Sequence, residues 1–331
     1  MKRIAVGISL VLAVLILASF IAGQAQKAPE PALPAGNGAP PLSNPLKVAL
    51  LKWYTNTVPT TFPVGNQPYG ICFDGAHVWV ANSQDGTLSK LSANDGTLLG
   101  TFPVGNGVYG VIFDGANIWA SNLGGTVSKV RASDGKVLGT FNVGPTGGWM
   151  AFDGSAIWVP TAPSEGNGSV VKLRASDGKN LGSFAAGPGP VAAAFDGTNI
   201  WVSNNGNSTV TKLRASDGSL VGTFTVGFQP LGIVFDGANI WTANRGDGSV
   251  TKLRASDGMV LGTFPSPGGP YGIAFDGKSI WVAGAPYIFE FRASDGKQLG
   301  QWFPPGPTTG IAFDGANIWV AELGYKVVAK L

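Results

Sequence analysis

The chain has almost none of the residues from which most active sites are assembled. In 331 residues there is one cysteine, Cys72, and one histidine, His77. A single cysteine excludes any disulfide within the chain, so stability must come from burial. Cys72 falls in an apolar run where comparable segments carry Ile112, Ala151 or Ala274, and it reads as a small buried hydrophobe. His77 stands in a turn where other segments place Asn117, Asn199, Asn239 and Asn317, which argues against a Ser-His-Asp triad and against a multi-histidine metal site. Charged residues make up only 12% of the chain, too few for solvated helix faces. The net charge is +3. Without Lys2 and Arg3 it is 20 basic against 19 acidic residues, or +1, and no nucleic-acid partner is expected. No phosphate-binding loop is present, because the glycines follow turns and not a strand-to-helix switch.

Glycine (50 residues) and proline (23) are abundant instead, and 44% of the chain is hydrophobic. The N-terminus begins with two basic residues and runs apolar over 4–23, with a small-x-small site at Gly23 and Ala25. This is the layout of a signal peptide, and the run is also long enough to span a bilayer. Residues 1–25 are therefore read as a signal peptide or a membrane anchor. With Cys72 the only cysteine, a lipoprotein leader is excluded. Residues 26–46 are rich in Pro, Ala and Gly and read as a tether without a core. The expected location is outside the cytoplasmic membrane: periplasmic, extracellular or anchored facing outward.

Residues 47–331 repeat. Phe-Asp-Gly recurs with aspartate at 74, 114, 153, 196, 236, 276 and 314, and a tryptophan follows each by five residues, from Trp79 to Trp319. A second Asp-Gly recurs six times, from Asp95 to Asp295, each followed seven residues later by an aromatic, from Phe102 to Trp302. Asp-Gly is a strong hairpin signal, since glycine accepts positive φ. Four short β-runs per roughly 40 residues is the size of a propeller blade. The chain is thus predicted to be all-β, a seven-bladed β-propeller with four antiparallel strands per blade. The last unit stops after its third strand. Its fourth is expected from VPTTFPVG, with Phe62 at the aromatic position, so that an N-terminal strand closes the ring. The third strand of that blade is expected either from residues 47–54 or from 326–331.

The pattern WVAN…TVTKLRASDG…LGTF with a following GIAFDG resembles the YVTN-type propeller repeat across residues 47–331. It is more distantly similar to NHL-repeat and virginiamycin B lyase-like propellers. The lyase resemblance implies histidine–glutamate chemistry, which the sequence does not match. ASDGKVLGTF is similar to quinone-cofactor propeller repeats, except that Gly replaces their Trp.

In this fold both Asp-Gly turns lie on one rim and the remaining loops on the other. The first rim is nearly uniform from unit to unit. The second varies and gathers Asp85, Glu165, Asp247 and Glu322 with a set of aromatics. Tyr69, Tyr109, Trp149, Asn204, Arg245, Tyr271 and Glu322 are the candidate ligand-binding residues, suited to a protein, peptide or glycan. No catalytic residue, metal or cofactor is assigned, and a monomer is expected. The leading reading is a non-catalytic binding or scaffold module of the cell envelope. The alternatives are a lyase- or hydrolase-like enzyme using rim carboxylates and a quinone-cofactor propeller.

Overall fold

Each Phe-Asp-Gly turn is built around a carboxylate whose two oxygens are both used. One accepts the backbone N–H groups two and three residues on, at 2.6–2.9 Å in all seven copies. The other accepts the indole N–H of the tryptophan five residues on, at 2.7–2.8 Å. Burial works to raise these carboxyls, but the hydrogen bonds outweigh it. Asp74, Asp114, Asp153, Asp196 and Asp314 are held below the ordinary aspartate range. His77 takes the role its neighbours give to asparagine. Its Nδ1 lies 3.1 Å from the Asp74 carboxylate, as Asn117 Nδ2 lies 3.1–3.2 Å from that of Asp114.

The computed structural model describes residues 59–145, 148–163 and 166–331. The leader, the tether and the start of the repeat region at residue 47 lie outside the described residues. The described residues form seven four-stranded antiparallel sheets and no helix. Blade 1 spans 68–103, blade 2 108–142, blade 3 151–188, blade 4 190–225, blade 5 230–265 and blade 6 273–302. Blade 7 takes three strands from 308–330, and its outermost strand is Thr60–Pro63. Thr60–Pro63 pairs antiparallel with Val327–Lys330, with Phe62 opposite Val328. The third strand of this blade is therefore Val327–Lys330. The competing segment, 47–54, lies outside the described residues. The innermost strands of successive blades pack side by side around the ring, including those of blades 7 and 1.

Two interactions join six of the seven blades to the next. In every blade the tryptophan ring packs on the outer-strand aromatic, Phe62, Phe102, Phe141, Phe184, Phe224, Phe264 or Trp302, at 4.7–5.7 Å between centroids. Six of these aromatics lie against the glycine of the following blade's second turn. At Gly135, for example, any Cβ would collide with the ring of Phe102. Glycine is required there twice over, because its φ is also +75°. The second link is a lysine opposite the tryptophan in register. Lys90, Lys129, Lys172, Lys212, Lys252 and Lys330 each lay the ammonium 4.7–5.3 Å from the tryptophan centroid. Each then donates at 2.7–2.8 Å to an alanine carbonyl in the next blade. Lys330 reaches Ala93, which ties blade 7 to blade 1. A charged donor to a carbonyl, placed over an aromatic face, justifies burying these lysines.

The turn aspartate is thus expected to dominate blade stability. Asp196→Ala strands an indole N–H and two backbone N–H groups and should lower unfolding free energy by about 3 kcal/mol, within the range for losing partners of charged hydrogen bonds. Guanidinium unfolding measures it. A loss below about 0.5 kcal/mol, the usual effect of a neutral surface change, would remove the turn from this role.

Candidate functional site

The variable rim is organised by a residue at the end of each second strand. Asn82, Asn122, Asn204 and Asn244 are buried there. Asn204 Nδ2 donates to the hydroxyls of Thr209 (2.9 Å) and Thr211 (2.8 Å), and its Oδ1 accepts from Gly187 N at 3.1 Å. Asn82 makes the same set with Thr87, Ser89 and Gly65. Asn204 therefore lies beneath the rim as a loop anchor, fully buried, and presents nothing to a ligand.

Glu322 occupies the equivalent place in blade 7 and is also fully buried. The partners that serve asparagine are gone. The residues five and seven positions on are Val327 and Ala329, where blade 4 has Thr209 and Thr211. Three residues past the outer-strand aromatic of the preceding blade stands Pro305, which has no N–H, where Gly65 and Gly187 stand elsewhere. Neither carboxyl oxygen of Glu322 has a hydrogen-bond partner among the described residues. Burial accordingly pushes this carboxyl up to about 7. Like Asn204, it lies below the accessible surface.

Four other predicted residues come together. At the channel mouth, Tyr69 and Tyr109 lie 4.5 Å apart between ring centroids, Tyr109 and Trp149 5.1 Å, Trp149 and Tyr271 5.4 Å, and Tyr69 and Tyr271 6.1 Å. The hydroxyls of Tyr109 and Tyr271 hydrogen-bond to each other. Burial raises both phenols. Tyr271 moves to about 12 and Tyr109 further, so both are protonated donors at neutral pH. Below them is a cavity of about 120 Å³ lined by Trp149, Met150, Ile71, Ile233, Ile273 and Ile311.

The backbone that carries this cluster departs from the repeat. The innermost strands of blades 3 and 6 are cut to Ala151–Phe152 and Ile273–Phe275. The freed residues turn to neighbouring blades. Trp149 N–H donates to Val191 and its carbonyl accepts from Ala193, while the Tyr271 carbonyl accepts from Gly232. Prolines and glycines around both segments (PTGGW and PGGPY) are the sequence signal for this shortening.

Arg245 completes the group, its guanidinium 5.7 Å from the Tyr271 centroid. Arg131, Arg174, Arg214, Arg254 and Arg292 each pair with the aspartate three residues on, at 3.0–3.4 Å. Arg245 is exposed and is the described arginine without a carboxylate. The acid in its own loop, Asp247, is taken by Phe228 N (2.8 Å) and Ser249 Oγ (2.6 Å). Asp85 is likewise held by Asn66, through its backbone N–H and side chain. Glu165 lies outside the described residues. Among the described residues no three His, Cys, Asp or Glu side chains gather as a metal site would require. Cys72 is buried, and burial pushes its thiol up, away from reactivity.

No family model matches the chain, and no curated protein matches it. Among solved structures it is similar to one described as a streptogramin B lyase structure, with a TM-score of 0.70 and 19% identity, covering 82% of this chain and 96% of that one. At that identity the likeness shows the seven-bladed fold.

The Glu322 environment predicts an unusual pH dependence. The folded carboxyl titrates near 7, against 4.5 ordinarily. Below 4.5 both states are protonated and the group is neutral in its effect. As pH rises from about 4.5 to about 7 the unfolded chain releases its proton first, so this contribution to stability falls across that window and levels off above it. Glu322→Gln should therefore gain melting temperature relative to the parent as pH rises from 5 to 8. Parallel melting profiles for the two proteins would show that Glu322 finds a partner in solution.

Proposed function

We propose that this propeller is a non-catalytic binding module of the cell envelope that docks a peptide or glycan at its channel mouth. The observation that carries the reading is the convergence of Tyr69, Tyr109, Trp149 and Tyr271 on one mouth, with unpaired Arg245 beside them. Rigid aromatics that lose little conformational freedom suit the flat faces of sugars and peptide groups, and the phenol and indole edges supply polar contacts. Arg245 adds a charge for an acidic substituent. The repeat is of the YVTN type in this reading. The apolar leader exports the domain and the Pro/Ala/Gly-rich segment holds it off a membrane or wall, as a monomer.

A lyase reading draws on the likeness to the streptogramin B lyase structure. It has less support at this rim, where Asp85 and Asp247 are spent on their own loops and Glu322 is buried.

The full chain should show ligand-induced melting shifts when screened against glycan and peptide libraries. Trp149→Ala and Arg245→Gln should each weaken the selected ligand at least tenfold, about 1.4 kcal/mol. Their own melting temperatures should stay within about 4 °C of the parent, equivalent to roughly 1 kcal/mol for a domain of this size. A screen without a single shift, or variants that bind normally, would remove the proposal.

A further inference from the structure

Two loop pairs of the variable rim share one backbone and differ in what they display. At blade 1, residues 65–68 (GNQP) meet residues 82–87 (NSQDGT). At blade 5, residues 227–230 (GFQP) meet residues 244–249 (NRGDGS). Ser83 N donates to the Gln67 carbonyl and Gln84 N to that of Asn66, as Arg245 N donates to Gln229 and Gly246 N to Phe228. Gln67 and Gln229 take the same left-handed conformation, with φ of 51° and 53°. The loop aspartate accepts the same backbone N–H, Asp85 from Asn66 at 2.6 Å and Asp247 from Phe228 at 2.8 Å.

Three side chains on this backbone differ together. Where blade 1 has Asn66, whose amide donates to Asp85 at 2.7 Å, blade 5 has Phe228, with 56% of the residue exposed. Asp247 is satisfied without that amide, through Ser249 Oγ at 2.6 Å. Where blade 1 has Gln84, blade 5 has Gly246, and any Cβ there would collide with the Phe228 ring. Where blade 1 has Ser83, blade 5 has Arg245, exposed and 5.7 Å from the Tyr271 centroid. An apolar ring facing water over an added glycine gives folding nothing, so the exchange calls for a ligand.

We infer that the ligand of the channel mouth is an acidic oligosaccharide, a chain of uronic acids, that runs from the mouth past Arg245 onto Phe228. This rests on the binding reading above and adds to it a ligand class and a second stacking platform. The mouth is a closed circuit of rings, Tyr69 to Tyr109 to Trp149 to Tyr271 and back, at 4.5–6.1 Å between centroids. Rings in mutual contact leave no opening for a peptide side chain and present flat faces to a sugar instead. Arg245 joins the mouth to Phe228, since its guanidinium lies by Tyr271 and the next residue in the chain, Gly246, lies under the Phe228 ring. Its planar fork matches a carboxylate. Ring, cation and ring thus meet sugar face, carboxylate and sugar face.

The test is calorimetric titration of the full chain with tetrasaccharides of galacturonate, mannuronate and glucuronate. The methyl ester of each serves as the uncharged counterpart, and tetraglutamate as the acidic peptide. At least one tetrasaccharide should bind, about tenfold tighter than its ester, as expected for a charged hydrogen-bonded pair. Phe228→Asn rebuilds the blade 1 loop. It should keep or raise the melting temperature, weaken that tetrasaccharide about fivefold and leave the disaccharide of the same sugar unchanged. Arg245→Ser should remove the preference for acid over ester. Ester or tetraglutamate binding as tightly as the acid sugar, or an unchanged tetrasaccharide affinity in Phe228→Asn, would overturn the inference. So would a fall in melting temperature in Phe228→Asn with equal losses for both sugar lengths, which would make the ring a loop support. If no uronate binds while another glycan or a peptide does, this inference fails and the binding reading stands; if nothing binds, both fail.

Discussion

The structure depends on a carboxylate that accepts an indole proton inside a turn. Without that bond the tryptophan N–H would be buried unsatisfied, and the tight Asp-Gly corner would lose the acceptor for its own backbone. With it, one side chain fixes the turn, orients the tryptophan and leaves the ring face free for two neighbours. One is the aromatic of the outer strand. The other is the lysine whose ammonium crosses to the next blade. Because six of the seven blades repeat the whole set, the ring gains lateral cohesion from polar and aromatic contacts. The chain's poverty in charge follows from the same plan, since the described lysines at these positions are structural and the turn aspartates are spent on the turns.

Much of this was legible in sequence because the repeat is its own alignment. The Asp-to-Trp interval, the second Asp-Gly and the aromatic that follows it each mark a strand boundary, and Phe62 could be assigned to the last blade by its place in that pattern. The bridging lysines are just as regular. Nothing in a single strand shows that a lysine stem will run across a tryptophan to another blade. Glu290 stands where Lys252 stands one blade earlier, and that it leaves blade 6 without a bridging lysine appears only once the six bridges are visible.

The rim residues divide by burial, which spacing does not report. Tyr69, Tyr109, Trp149 and Tyr271 precede or open the innermost strands, so the ring geometry forces them toward the axis. Asn204 and Glu322 end second strands, one layer further out, where the loop folds over them. Asn204 finds hydroxyl and amide partners there, and Glu322 finds none. Loop variability therefore singles out one rim of the molecule but mixes accessible residues with anchors. Two places where this rim departs from the repeat, the shortened inner strands and the blade 5 loop that carries Phe228, are places where it presents aromatic rings. In a scaffold so regular, such departures are where binding chemistry is to be sought.

Seven aspartate–indole bonds hold the blades. Hydrogen exchange at the tryptophan indoles, followed by ¹⁵N NMR on the full chain, tests it most directly. Of ten tryptophans, Trp79, Trp119, Trp158, Trp201, Trp241, Trp281 and Trp319 donate to an aspartate. Seven indole protons should be protected from exchange, with those of Trp149 and Trp302 exchanging faster. Rapid exchange at the seven, on the timescale of the other indoles, would contradict it.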